Sequence, residues 1–156
     1  MNCISWNCRG LGQSRAVLEL IELVKKTSPL IIFLMETKSK DQYLKKLCSK
    51  LQLENIHIEP RVNAGGGSTL YWKNEIDLKL LDSTPTYIDT VVNPEMDDAW
   101  RLMGFYGNPV TANREHSWAL LKHLCLEMEI HWLCVGDFNE ITKAEEKKGG
   151  AIRRER

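Results

Sequence analysis

Four apolar runs in this chain each lead into a side chain whose oxygen could hold a hard cation or meet a phosphate. Ile4-Ser5-Trp6 runs into Asn7, Leu30 to Met35 into Glu36, and Trp100 to Phe105 into Tyr106; Trp132 to Val135 runs through Gly136 into Asp137, Phe138 and Asn139. In open α/β sheets, ligands collect beyond the carboxyl ends of strands. Two carboxylates brought close together repel unless a cation or hydrogen-bond donors compensate. Oxygen donors without a His/Cys cluster suit Mg²⁺ or Mn²⁺ better than zinc, and Mg²⁺ takes one or two carboxylates alongside water and substrate phosphate. Asn7, Glu36 and Asp137 meet that demand. Bound there, the metal polarises a phosphoryl oxygen and steadies the leaving oxyanion. Each residue also has an ordinary use: Glu36 at a helix start or in solvent, Asp137 and Asn139 in a turn, Asn7 as a capping amide, Tyr106 as a core aromatic. Their order, and their shared place after apolar runs, sets them apart.

The elements that must position these residues follow from periodicity. Val17, Leu20, Ile21 and Val24 make one helical face over 13–27, stopped by Ser28-Pro29. Leu44, Leu47, Cys48 and Leu51 do the same over 41–51, with Ser39 and Gln42 spaced as a capping box. A third stripe, Trp118, Leu121, Cys125 and Met128, spans 113–128. Strands are predicted at 30–35, 56–59, 68–72, 78–81, 87–92, 100–106 and 132–135, after a first strand that begins almost at Met1. The runs at 30–35 and 132–135 are unbroken apolar, the pattern of strands covered on both faces. Helices interleaved with a block of strands predict an α/β protein whose sheet carries helices on one face. With three helices against seven or eight strands, one sheet face lacks a predicted cover, and the chain reads as cut short. The stretch over about 141–156 is polar and predicts a poorly ordered tail.

Composition bounds the function classes. The 156 residues carry 21 basic and 21 acidic side chains, so no bulk positive field steers the chain onto DNA. Five cysteines without a CxxC pair argue against a zinc site or a disulfide framework and for a reducing compartment. No secretion signal or membrane span is recognisable, which predicts an intracellular protein of nucleus or cytoplasm. Gly65-Gly66-Gly67-Ser68-Thr69 lacks the Gly-Lys-Ser/Thr ending of a phosphate loop and reads as a turn. Arg9 and Lys38 flank the candidate site as possible phosphate contacts.

Ser5-Trp6-Asn7-Cys8-Arg9-Gly10-Leu11-Gly12, Phe33-Leu34-Met35-Glu36-Thr37-Lys38, Gly104-Phe105-Tyr106-Gly107 and Gly136-Asp137-Phe138-Asn139-Glu140 together resemble the ordered motifs of the endonuclease/exonuclease/phosphatase superfamily. The flanking residues, including Glu146-Lys147-Lys148-Gly149-Gly150, look most like the endonucleases of plant LINE-type (non-LTR) retrotransposons. The resemblance implies a DNase I-like four-layer α/β/β/α sandwich, here incomplete, forming one truncated domain over 1–156. It implies Mg²⁺ (or Mn²⁺) held by Glu36 with Asn7, and Tyr106 on the scissile phosphate. It implies Asp137 orienting the attacking water and Asn139 on a phosphate oxygen. DNA is the implied partner of the full-length parent, which would carry a reverse transcriptase; no small-molecule cofactor is implied.

This sequence departs from the family pattern after Asn139. The later aspartate and the Ser-Asp-His motif have no counterpart, because His57, His116, His123 and His131 all precede Asp137. The expectation is an amino-terminal fragment of a Mg²⁺-dependent endonuclease, inactive or nearly so alone. The alternatives are a non-catalytic remnant that binds metal or nucleic acid weakly, or a phosphoesterase of the same superfamily acting on another substrate.

Overall fold

A computed structural model describes residues 1–60, 66–141, 146 and 149. The order is β1 (Cys3–Asn7), α1 (Ser14–Thr27), β2 (Ile31–Met35), α2 (Asp41–Lys50), β3 (Asn55–Glu59), β4 (Ser68–Trp72), β5 (Leu78–Thr84), β6 (Tyr87–Val92), β7 (Trp100–Tyr106), α3 (Arg114–Cys125) and β8 (Trp132–Asp137). Most of the predicted polar tail falls outside the described residues. No described helix is long and apolar enough to cross a membrane.

Local chemistry explains the joints. α1 ends where Ser28 turns left-handed (φ 44°), its N–H returning to the Val24 carbonyl, with Pro29 next to forbid another turn. α2 starts differently from the sequence expectation. Lys40 is its N-cap, without a side-chain cap bond. Ser39 Oγ instead donates to the Thr37 carbonyl at 3.0 Å, tying down the loop that carries Glu36.

The described strands form two sheets, ordered β1-β2-β4-β3 and β5-β6-β7-β8. β1 runs parallel to β2, and β7 parallel to β8; the other pairings are antiparallel. α1 and α2 cover the outer face of the first sheet through Val17, Leu20, Leu44 and Leu47 against Ile32, Leu34 and Tyr71. Between the sheets, Ile31, Phe33, Met35 and Leu70 meet Ile88, Val92 and Leu102. α3 closes the far side with Leu121 and Leu124 on Tyr87, Met103 and Phe105. The architecture is a four-layer α/β/β/α sandwich.

Two expectations are corrected by this arrangement. The sheet face that seemed to lack a cover packs against the other sheet, because the strand block is divided between two sheets that share one apolar interior. β8, expected to be covered on both faces, is an edge strand with no fully buried residue, and its Leu133 is 44% exposed. Its apolar run reflects contacts with β7, the inter-sheet core and α3, without enclosure. All five tryptophans pack against one of the three apolar clusters.

Gly104 marks how closely the sheets approach. A Cβ there would sit 2.5 Å from the Phe33 ring, so the β2 phenyl lies flat on bare β7 backbone. Nearby, Arg101 is buried inside β7 and forks onto Asp89 of β6, with Nε 2.9 Å from Oδ1 and Nη2 2.6 Å from Oδ2. Its Nη1 donates to the Leu124 carbonyl at the end of α3, and its guanidinium stacks over Trp132. One cation thus fastens helix, sheet and β8. Arg101→Met would strand Asp89 in the interior and should cost about 3–5 kcal/mol in urea unfolding. Arg101→Met/Asp89→Leu should recover most of that loss.

Candidate active site

Asn7, Glu36, Tyr106, Asp137 and Asn139 come together at one rim of the sandwich. Parallel pairing does this. Asn7 stands opposite Met35, immediately before Glu36, while Tyr106 stands opposite Asp137 in the other sheet. Where the carboxyl ends of both pairs meet, the Asn7 amide bridges the sheets. Its Nδ2 donates to Glu36 Oε1 at 3.0 Å and to Asp137 Oδ2 at 2.9 Å. The Arg9 backbone N–H donates to Asn7 Oδ1 at 3.2 Å, which orients the amide with its NH₂ toward the acids. The two carboxylate oxygens therefore lie at most about 6 Å apart, within the range of mutual repulsion.

Each acid gathers further donors. Tyr106 Oη donates to Glu36 Oε1 at 2.8 Å, and Lys38 Nζ pairs with Oε2 at 3.0 Å. Asp137 Oδ1 accepts the Asn139 backbone N–H at 2.9 Å. The Asp137 N–H reaches across the sheets to Met35 Sδ at 3.2 Å. Asn139 Nδ2 donates to the Gly107 carbonyl at 2.7 Å, and its side chain also hydrogen-bonds Tyr106. Lys38 thus already spends its charge on Glu36, while the Arg9 side chain is exposed beside the rim.

Backbone strain concentrates here. Arg9, Glu36, Lys38 and Asn139 all adopt left-handed φ, at 49°, 51°, 49° and 53°. Such residues cost about 1–3 kcal/mol each and persist where surroundings over-determine them. The surroundings are visible. Gly67 and Gly66 carbonyls accept the Thr37 and Lys38 N–H groups at 3.0 and 3.1 Å. Gly66 and Gly67, expected only as part of a turn, are therefore a buttress for the Glu36 loop. On the other sheet, a Cβ at Gly107 would strike the Phe138 carbonyl and one at Gly136 the Phe105 carbonyl, so both positions require glycine.

The donor set suits a hard divalent cation. Glu36 and Asp137 offer two carboxylates, which leaves room for water and a phosphate; the Asn7 oxygen accepts the Arg9 N–H and would join them only after its amide turns over. Among the described residues there is no cluster of three or more His, Cys, Asp or Glu able to bind a metal, so a zinc-like cage is absent from them. All five cysteines are free thiols.

Residues 4–156 match the model of the Endonuclease/Exonuclease/phosphatase family. The chain belongs to this family. A search of curated proteins finds no match. Solved structures share the fold at low identity. The human Nocturnin catalytic domain with bound sulfate superposes with a TM-score of 0.65 at 15% identity, covering 89% of this chain and 64% of that one. The endonuclease domain of TRAS1, a telomere-specific non-LTR retrotransposon, gives 0.62 at 10% identity, with coverages of 90% and 59%. The D. rerio TDP2 complexed with single-strand DNA product gives 0.64 at 16% identity, with coverages of 92% and 62%. The chain thus spans about 59–64% of the length of these three structures.

Supports that carry no motif of their own also shape this family member's site. Arg114, at the start of α3, donates to the Pro109 carbonyl at 3.2 Å and pairs with Glu140 at 3.5 Å, tying the loop after Tyr106 to the loop after Asp137. Ser117 Oγ accepts the Asn108 N–H at 3.0 Å. A helix-start arginine carries no sequence signal for this, since its partners are a backbone carbonyl and an acid 26 residues away.

The protonation states follow from the contacts. Burial pushes the Glu36 carboxyl up, but hydrogen bonds from Asn7, Lys38 and Tyr106, with the Lys38 charge, outweigh it and hold the group below its ordinary 4.5. The Tyr106 phenol is pushed up to about 12, by burial and then by its bond to Glu36. A carboxyl depressed in the folded state stabilises the fold fully above its unfolded value, and that contribution fades as pH falls through the folded value. Glu36 should therefore titrate below 4.5 in carboxyl ¹³C NMR, with its share of stability lost only under acid. Tyr106→Phe and Lys38→Met should each move that titration upward; a native Glu36 titrating above 4.5 would contradict the assignment.

Proposed function

We propose that this chain is the metal- and phosphate-binding portion of a divalent-cation-dependent DNA endonuclease of the LINE-type retrotransposon class. One observation carries the reading: a single amide, Asn7, holds Glu36 and Asp137 from opposite sheets on one half-buried rim beside a phenol. Family membership supports phosphoester chemistry, and the fold shared with the TRAS1 endonuclease domain supports the nucleic-acid branch.

Glu36 and Asn7 would hold Mg²⁺ or Mn²⁺. When bound, the metal supplies Lewis-acid polarisation of a phosphoryl oxygen and neutralises charge on the leaving oxygen. The Tyr106 hydroxyl, protonated at any working pH, can pass its hydrogen bond from Glu36 to a phosphate oxygen. Asp137, steadied by Asn7 and the Asn139 N–H, would orient an attacking water. Asn139, pinned on the Gly107 carbonyl, also hydrogen-bonds Tyr106 and would pass that bond to a phosphate oxygen. Lys38 balances the Glu36 charge and would share that carboxylate with a bound divalent ion.

Among the described residues, none of the four histidines is hydrogen-bonded to these five; His57, for example, meets Ser83 of β5 at 3.0 Å. Among the described residues, then, the candidates are for binding and orientation, and no histidine stands at the rim to deliver a proton to the leaving oxygen. A missing general acid or base typically lowers rates about 10²–10⁴-fold. Mn²⁺ should broaden the NMR signals of the Asn7 side-chain amide in the native chain and leave them sharp in Glu36→Gln. Supercoiled plasmid with Mg²⁺ should be nicked slowly or not at all. Vigorous nicking that survives Glu36→Gln would refute the proposed site, and vigorous nicking abolished by Glu36→Gln would refute the claim that the proton-transfer step is lacking.

A further inference from the structure

At the other end of the first sheet, a cavity of about 160 Å³ opens between the carboxyl ends of α1 and α2 and the segment after β4. β2 begins beside it and ends beside Glu36, so a five-residue strand of about 17 Å separates the two places. The cavity floor is apolar, made by Ile21, Val24 and Leu51, and its rim carries Lys25, Lys50 and Lys73.

Two of these lysines have a local reason to be there. Lys25 and Lys50 occupy the last turns of α1 and α2, where a cation answers the helix dipole. Lys73 follows β4, belongs to no helix, and still lines the same recess. No carboxylate lines it, and none of the three lysines forms an ion pair among the described residues. In a chain whose charges sum to zero, three cations around one apolar recess leave a local positive excess, of which Lys73 has no helix end to answer. Ser28 and Gln52, both left-handed at φ 44° and 58°, turn the chain away at the two helix ends and leave the recess open.

We propose that this recess binds a small organic anion, with its phosphate or carboxylate on the lysine rim and an apolar ring on the Ile21–Val24–Leu51 floor. A cavity of about 150 Å³ can hold one benzene ring, so this volume suits a single ring. The site is independent of the carboxylate rim, so the Glu36→Gln chain should retain it.

Phenyl phosphate and benzoate are the probes, titrated into the native chain and into Glu36→Gln while backbone amide shifts are followed. Saturable shifts are expected at Lys25, Ser28, Leu51, Gln52 and Lys73 with at least one probe, and the tighter probe identifies the preferred acid group. Lys73→Gln should weaken binding about two- to fivefold, the scale of one exposed ion pair. Lys25→Gln/Lys50→Gln/Lys73→Gln should abolish it, whereas Lys45→Gln/Lys46→Gln on the same helix should not; if the triple variant fails to fold, the single Lys73 variant decides. Equal binding of inorganic phosphate and phenyl phosphate would remove the role of the floor and overturn the proposal. So would unchanged binding in the lysine variants, saturation by neither probe, or binding of an oligonucleotide with no binding of either probe.

Discussion

Two negative groups from different sheets share one NH₂ group, and the rest of the molecule is arranged so that this can happen. Asn7 must finish β1 at the height where β8 delivers Asp137 and where β2 turns out Glu36. Both deliveries come from parallel pairs, β1 with β2 and β7 with β8, which bring neighbouring carboxyl ends to the same height. The antiparallel strands widen the sheets and fill the interior, and they place none of the five residues. Sheet spacing is equally restricted. Phe33 lying against Gly104 sets the separation that lets Asn7 reach across, and a bulkier residue at 104 would drive the sheets apart.

The energetic arrangement divides in two. The interior is ordinary close packing in three slabs, reinforced by the Arg101–Asp89 pair that links α3, β6, β7 and Trp132. The rim opposes that stability, because like charges stand close and four non-glycine residues are held left-handed. Donors from Asn7, Tyr106, Lys38 and the Asn139 backbone offset the charge, while Gly66 and Gly67 carbonyls hold the Glu36 loop in its costly shape.

Much of this was legible in the sequence, for definite reasons. Helical stripes such as Val17-Leu20-Ile21-Val24 and buried runs such as Ile31 to Met35 report one-dimensional periodicity, which burial imposes directly. The strand-end positions of Asn7, Glu36, Tyr106 and Asp137 were visible because polar residues interrupt apolar runs abruptly. The division of the strands between two sheets was implied by the motif resemblance but not by periodicity, since a strand facing another sheet and one facing a helix carry the same apolar pattern. The partial exposure of β8 was hidden for the same reason. Arg101 inside β7 gave no warning, because its partner Asp89 lies on the neighbouring strand. Nor did Arg114 or the glycine buttress, whose partners include backbone carbonyls that any sequence provides.

The left-handed backbone at Glu36, Lys38 and Asn139 sets this molecule's thermodynamic interest against its chemistry. Glycine adopts that conformation without a steric penalty, so each of these positions has a replacement that relaxes the chain while deleting the side chain. Selection for thermal tolerance alone would drift toward those replacements and leave a sturdier, emptier rim. An engineer raising the melting temperature of this protein would therefore exclude these three positions from any consensus or entropy-based redesign, and would look to the outer helices for gains.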